Sequence, residues 1–89
     1  MDREGPLACV NLTVRLFASL REQAGWNRQK VTLEARATPT PLGLWQQLRL
    51  GGDRIPAAVR VAINQQFAGE GTTLNDGDEV AFLPPISGG

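Results

Sequence analysis

The stretch Leu74-Asn75-Asp76-Gly77-Asp78-Glu79-Val80-Ala81-Phe82-Leu83-Pro84-Pro85-Ile86-Ser87-Gly88-Gly89 decides how this chain is read. Asn75-Asp76-Gly77-Asp78 is a strong turn signal, because Asn and Asp tolerate left-handed backbone and Gly adopts it freely. Glu79 to Leu83 then reads as a strand, with Val80 and Phe82 on one face and Ala81 and Leu83 on the other. Pro84-Pro85 stops further ladder pairing, since proline has no N–H to donate. Two prolines in succession favour an extended arm leaving the fold. Gly88-Gly89 lacks Cβ atoms and gives that arm the narrowest cross-section a polypeptide can have. Such an arm can thread a tunnel and present its terminal carboxylate inside another protein. With a reference pKa of about 3.3–3.7, that carboxylate is ionised at pH 7 and nucleophilic toward an activated phosphate.

Working back from the arm, Val59, Val61 and Ile63 alternate with Arg60, Ala62 and Asn64, which predicts a strand. Asn64-Gln65 begins a tight turn into a short strand at Gln66-Phe67-Ala68. Thr40 and Pro41 suit the N-cap and first position of a helix that carries Leu42, Trp45 and Leu48 at intervals of three and ends at Gly51-Gly52. Trp45 is read as core. Gly43 inside this helix weakens it by about 1 kcal/mol relative to alanine. Lys30 to Glu34 gives a strand with Val31 and Leu33 on one face. Val10, Leu12, Val14 and Leu16 alternate with Asn11, Thr13 and Arg15 in the first strand, where Phe17 puts a large aromatic on the polar side. Ser19-Leu20-Arg21-Glu22 has capping-box spacing, with Ser19 as N-cap, and Gly25 stops that helix within two turns, with Trp26 closing it over the sheet.

The order is strand, short helix, strand, helix, hairpin and final strand. An α+β fold results, a mixed sheet with its main helix packed across one face. Residues 1–9 read as a flexible leader, residues 10–83 as the domain and residues 84–89 as an extended tail.

Composition narrows the function classes. Eighty-nine residues support one modest core and hardly a deep active-site cavity as well. Nine Lys plus Arg balance nine Asp plus Glu, which argues against a nucleic-acid partner. With no histidine, the chain has no default general base near pH 7 and no imidazole ligand, so no metal site is expected. Asp76, Asp78 and Glu79 read as a solvated turn. Its single cysteine, Cys9, excludes an internal disulfide and a Cys-cluster zinc site, and fits a reducing cytoplasm. No apolar run is long enough for a signal peptide or a membrane span.

Phe82-Leu83-Pro84-Pro85-Ile86-Ser87-Gly88-Gly89 resembles the terminus of the small-subunit family of molybdopterin synthase, sulfur carriers with the ubiquitin-like β-grasp fold. Leu74 to Ala81, Val61-Ala62-Ile63-Asn64-Gln65 and Val14 to Glu22 resemble the same family in the same order. The resemblance implies a carrier without bound cofactor, not an enzyme as an isolated chain. It implies further that an E1-like adenylating enzyme activates Gly89 with ATP and that the acyl-adenylate is converted to a thiocarboxylate. That group is expected to donate sulfur to cyclic pyranopterin monophosphate within the molybdopterin synthase large subunit. Pro84, Pro85, Ile86, Ser87 and Gly88 form the arm that carries Gly89.

Three apolar side chains fall outside the core pattern. Phe17, Phe67 and Leu83 are expected to form one patch beside the tail that docks on partner proteins, as matching positions do in the resembled family. Residues 70–89 hold four acids and no base, so the region around the tail is expected to be acidic and to suit a basic docking surface. The alternatives are a thiamine-pathway sulfur carrier, a ubiquitin-like modifier (whose chain-building is limited by Lys30 being the only lysine) or a plain β-grasp interaction domain with an inert terminus.

Overall fold

The computed structural model describes residues 9–34 and 38–85. Seven elements follow one another: β1 (Cys9–Leu16), α1 (Ala18–Ala24), β2 (Arg28–Glu34), α2 (Pro41–Gln47), β3 (Arg60–Ile63), β4 (Gln66–Ala68) and β5 (Glu79–Leu83). Five strands form one sheet in the order β2-β1-β5-β3-β4. β1 and β5 run parallel at its centre, with Leu16 beside Phe82, and every other neighbouring pair is antiparallel. Alternation along β1 and β5 is strict enough to fix this register. Val10, Leu12, Val14, Leu16, Val80 and Phe82 are all buried on one face, and a one-residue slip would turn them outward.

The helices cover that face. Both have seven residues, so α2 is the main helix by burial and not by length: it contributes Leu44 and Trp45, whereas α1 contributes Leu20. Trp45, 1% exposed, meets Phe82 edge-on at 5.4 Å between ring centroids. Such a pair adds about 0.5–1.5 kcal/mol beyond the area it buries. Its indole N–H, which would otherwise be an unpaired buried donor, donates to the Gly51 carbonyl at 3.1 Å. Thr40 caps α2 as expected, its Oγ1 accepting from Gly43 N–H with Pro41 in the first turn. Gly43 therefore sits at the capped third position, where little is lost by the missing side chain.

Several local expectations need correction. Ser19 does not cap α1. Phe17 is the N-cap residue, without a side-chain cap bond, and Ser19 lies inside the first turn. The turn geometry overrides the Ser-x-x-Glu spacing: β1 ends at Leu16, and the chain swings into the helix through Ala18 in the left-handed region, φ 52°. Phe17 thus lies just past the strand rather than within it. α2 ends at Gln47, before Gly51-Gly52, because Leu48 closes it and Arg49 already has a positive φ of 54°. β2 starts two residues earlier than expected and β3 excludes Val59. Ala62, on the outer side of β3, is buried as well. Cys9 opens β1, paired with Glu34, so the strand begins inside the expected leader. Residues 1–8 lie outside the described residues.

Two turns follow their sequence signals closely. Asn64 and Gln65, with φ 51° and 70°, form the two-residue connection between β3 and β4, the double positive φ that a type I′ hairpin requires. In Asn75–Asp78, Gly77 takes φ 90° and Asp78 N–H donates to the Asn75 carbonyl at 3.0 Å, as a type II turn demands.

Candidate functional site

The site is the place where β5 gives way to the C-terminal arm. β5 is the central strand, bonded to β1 on one side and β3 on the other, and its inner residues Val80 and Phe82 are 0% exposed. A segment leaving such a strand has a fixed point of departure. Pro84 and Pro85 follow Leu83 outside the ladder. Ile86, Ser87, Gly88 and Gly89, the rest of the expected tail, lie outside the described residues.

The outer face of the sheet surrounds this point. Leu83 pairs with Arg60 and Ala81 with Arg15 and Ala62, while Ala62 pairs with Phe67. Phe17 and Leu83 each follow directly on the last pair of the β1–β5 register, Leu16 with Phe82, at the same end of the sheet. Phe67 is 67% exposed, the only large exposed apolar side chain among the described residues. It stands across β3 from Ala81, with the guanidinium of Arg60, the partner of Leu83, 4.3 Å from its ring centroid. Arg15 covers Phe17 in the same way at 5.0 Å. Phe17, Phe67 and Leu83 therefore share one side of the sheet. They do not make a continuous apolar patch: each phenylalanine carries an arginine over its ring, and the surface alternates apolar and cationic.

Charge at the tail root also departs from expectation. Asp76, Asp78 and Glu79 all stand at the start of β5, the opposite end from the tail; of the four acids only Glu70, just past β4, shares a groove with Arg60 on the tail side. At the end of β5 the neighbours are Arg60 and Arg15, with Arg28 opposite Arg15 across β2. A segment that is acidic in sequence thus ends beside arginines, because pairing with β1 and with β3 brings them from distant positions to β5. Sequence reasoning missed these arginines. Arg15 and Arg60 look like ordinary solvated residues on alternating strands and Arg28 falls outside the expected second strand, so only the strand register reveals that they gather.

The acidic end has its own use. Asn64 Nδ2 donates to Asp78 Oδ1 at 2.8 Å, Asn75 N–H to Asp78 Oδ2 at 2.8 Å and Glu79 N–H to Asn64 Oδ1 at 3.0 Å. Asn11 N–H donates to Asp76 Oδ1 at 2.7 Å. These bonds join the β3–β4 turn, β1 and the turn before β5. No group of His, Cys, Asp or Glu side chains suited to a metal ion occurs among the described residues.

Residues 14–89 match the model of the ThiS family. The chain belongs to the ThiS family. Among relatives, it is 35% identical to the molybdopterin synthase sulfur carrier subunit of Escherichia coli, over 88% of this chain and 99% of that protein. The protein of the same name from Drosophila yakuba is 34% identical over the full length of both. Two solved ThiS-like folds agree in shape. The HVO 2177 protein of Haloferax volcanii superposes with a TM-score of 0.76 at 26% identity, covering 99% of this chain and 94% of that one. The small archaeal modifier protein 1 of the same organism gives 0.68 at 26% identity, covering 86% and 99%. This is the ubiquitin-like β-grasp architecture. Among the described residues no helix is long and apolar enough to cross a membrane.

Proposed function

We propose that this ThiS-family chain is the sulfur carrier of a molybdopterin synthase, working through its C-terminal glycine and not as an enzyme alone. The observation that carries the reading is the combination of full-length similarity to molybdopterin synthase sulfur carrier subunits with an arm that departs from the central strand. A central strand holds the departure point still, and Pro84 and Pro85 end its ladder pairing. The chemistry sits at the far end of that arm. The Gly89 carboxylate attacks the α-phosphate of ATP bound to an E1-like adenylating enzyme, and pyrophosphate leaves. A carboxylate resists substitution until AMP makes one oxygen a good leaving group; a sulfur donor then displaces AMP to give the thiocarboxylate. In the large subunit of molybdopterin synthase the thiocarboxylate sulfur bonds to a carbon of cyclic pyranopterin monophosphate. Water then cleaves the acyl–sulfur bond, leaving the sulfur on the pterin and Gly89 as its carboxylate.

The chain supplies position and a consumable group; bases and phosphate-binding groups belong to the partners. Phe17, Leu83 and Phe67 serve as docking contacts around the root of the arm. The test is the intact mass of the full chain after co-expression with an adenylating enzyme and its sulfur donor. A gain of about 16 Da, sulfur for oxygen, is expected. Deleting Gly89 should abolish both that gain and molybdopterin formation while leaving thermal melting unchanged. Molybdopterin formed by a chain lacking Gly89 overturns the proposal. A second reading, protein modification, is favoured by the similarity to small archaeal modifier protein 1. It shares the activation of Gly89 and predicts covalent adducts of higher mass in place of sulfur transfer.

A further inference from the structure

Beside the root of the arm, Leu16, Phe17, Asn27 and the arginines Arg15, Arg21 and Arg28 line a groove of about 340 Å³. Three of the nine basic residues of an electrically balanced chain line this one depression, and among the described residues no carboxylate lines it. Three elements build it. Arg15 comes from the end of β1 and Arg28 from the start of β2, directly opposite one another in register. Arg21 comes from the first turns of α1, which the Phe17 carbonyl holds against the strand end by accepting from Leu20 and Arg21 N–H. Leu16 N–H donates to the Asn27 carbonyl at 3.0 Å and fixes the start of β2 beside the end of β1. Like charges directly opposite across two strands disfavour the fold. Arg15 stacks over Phe17, but internal packing gives no reason for placing Arg28 opposite it, and none of the three arginines has an ion-pair partner among the described residues.

Position supplies the reason. Because β1 and β5 are parallel, the end of β1 and the end of β5 lie at the same edge, so the groove opens where the arm departs. Phe17, which borders the groove, directly follows Leu16, the partner of Phe82 in the last pair of β1 and β5. We propose that this groove receives carboxylate side chains from an acidic segment of the protein that takes up the arm, orienting that protein as Gly89 enters it. The inference rests on the carrier reading for the partner's identity, and the groove's preference for carboxylates is testable without it. Guanidinium groups suit the purpose, since their planar forks match carboxylates in pairs of hydrogen bonds. The zero net charge of the chain speaks against nucleic acid as the occupant.

The experiment uses the full chain and the large subunit of molybdopterin synthase, with association and dissociation rates measured at low and high salt. Arg21→Glu combined with Arg28→Glu should slow association about tenfold and flatten its salt dependence, with a smaller change in dissociation. Arg28→Glu places opposite charges across β1 and β2, so the variant should melt no lower than the parent, and melting is recorded alongside. Arg28→Lys should keep most of the association rate. Unchanged rates and salt dependence in the double variant overturn the groove while leaving the carrier reading intact. Failure of the parent chain to bind at all counts against the carrier reading; the groove is then judged by titrating an oligoglutamate peptide and following amide signals. Shifts confined to Phe17, Arg21, Asn27 and Arg28, and lost in the double variant, support the groove, and their absence overturns it. Equal shifts with a DNA duplex of mixed sequence also overturn it, in favour of an unselective polyanion surface.

Discussion

The two ends of β5 are held by different physics. At its start, Asp78 and Asn64 knot the strand to a neighbouring turn through side-chain hydrogen bonds in water. At its end, Phe82 is sealed against Trp45 while Leu83, one residue on, is only half-buried beside Arg60. The first end has a geometric task, to set where the strand begins. The second has a double task, to anchor inward and to present outward. Adjacent residues of one strand can therefore be expected to separate folding from binding.

Phe82→Ala gives the largest effect. It removes a fully buried ring and its edge contact, and should lower unfolding free energy by about 3–5 kcal/mol in a denaturant melt, a large share of what a domain this size has. Leu83→Ala should instead cost less than about 1 kcal/mol of folding. Its main loss should be roughly 1–2 kcal/mol of affinity for the large subunit, measured by calorimetry. Equal folding losses for Phe82→Ala and Leu83→Ala would erase the contrast at this end of the strand.

Asp78→Ala sharpens the comparison from the other end. Losing two hydrogen bonds at an exposed turn should cost about 1 kcal/mol in thermal melting, with large-subunit binding unchanged. A binding loss exceeding the stability loss would mean that the acidic end also docks. Gln65→Gly should have the smallest effect and the opposite sign. Gln65 holds φ 70° in a position where glycine is unstrained, and relief should outweigh the added chain entropy by roughly 0.5 kcal/mol.

Much of this architecture is legible in the sequence. The buried faces of β1 and β5 follow from strict alternation, and Thr40-Pro41, Asn64-Gln65 and Asn75–Asp78 name their own backbone geometry. What escapes is whatever a tertiary pairing decides. Ser19 and Glu22 have the right spacing for a cap, yet the strand end at Leu16 and the left-handed Ala18 set the helix start before they can act. The basic character of the tail root is invisible for the same reason. Arg15 and Arg60 reach β5, and Arg28 reaches Arg15, only through strand register, and the charged residues in a window of sequence around the tail are acids alone. Phe17 and Phe67 are conspicuous by parity, but the arginines stacked over them depend on cross-strand geometry.

The parallel pairing of β1 with β5 has a consequence in time as well as in space. The first strand of the domain cannot find its central neighbour until the last strand exists, and Asn11 and Asp76, 65 residues apart, must meet to close the sheet. Contacts of such long range make folding slow and all-or-none. A chain that stops short of Leu83 thus has no sheet from which an arm could depart, and the whole surface around that point comes into being in a single step.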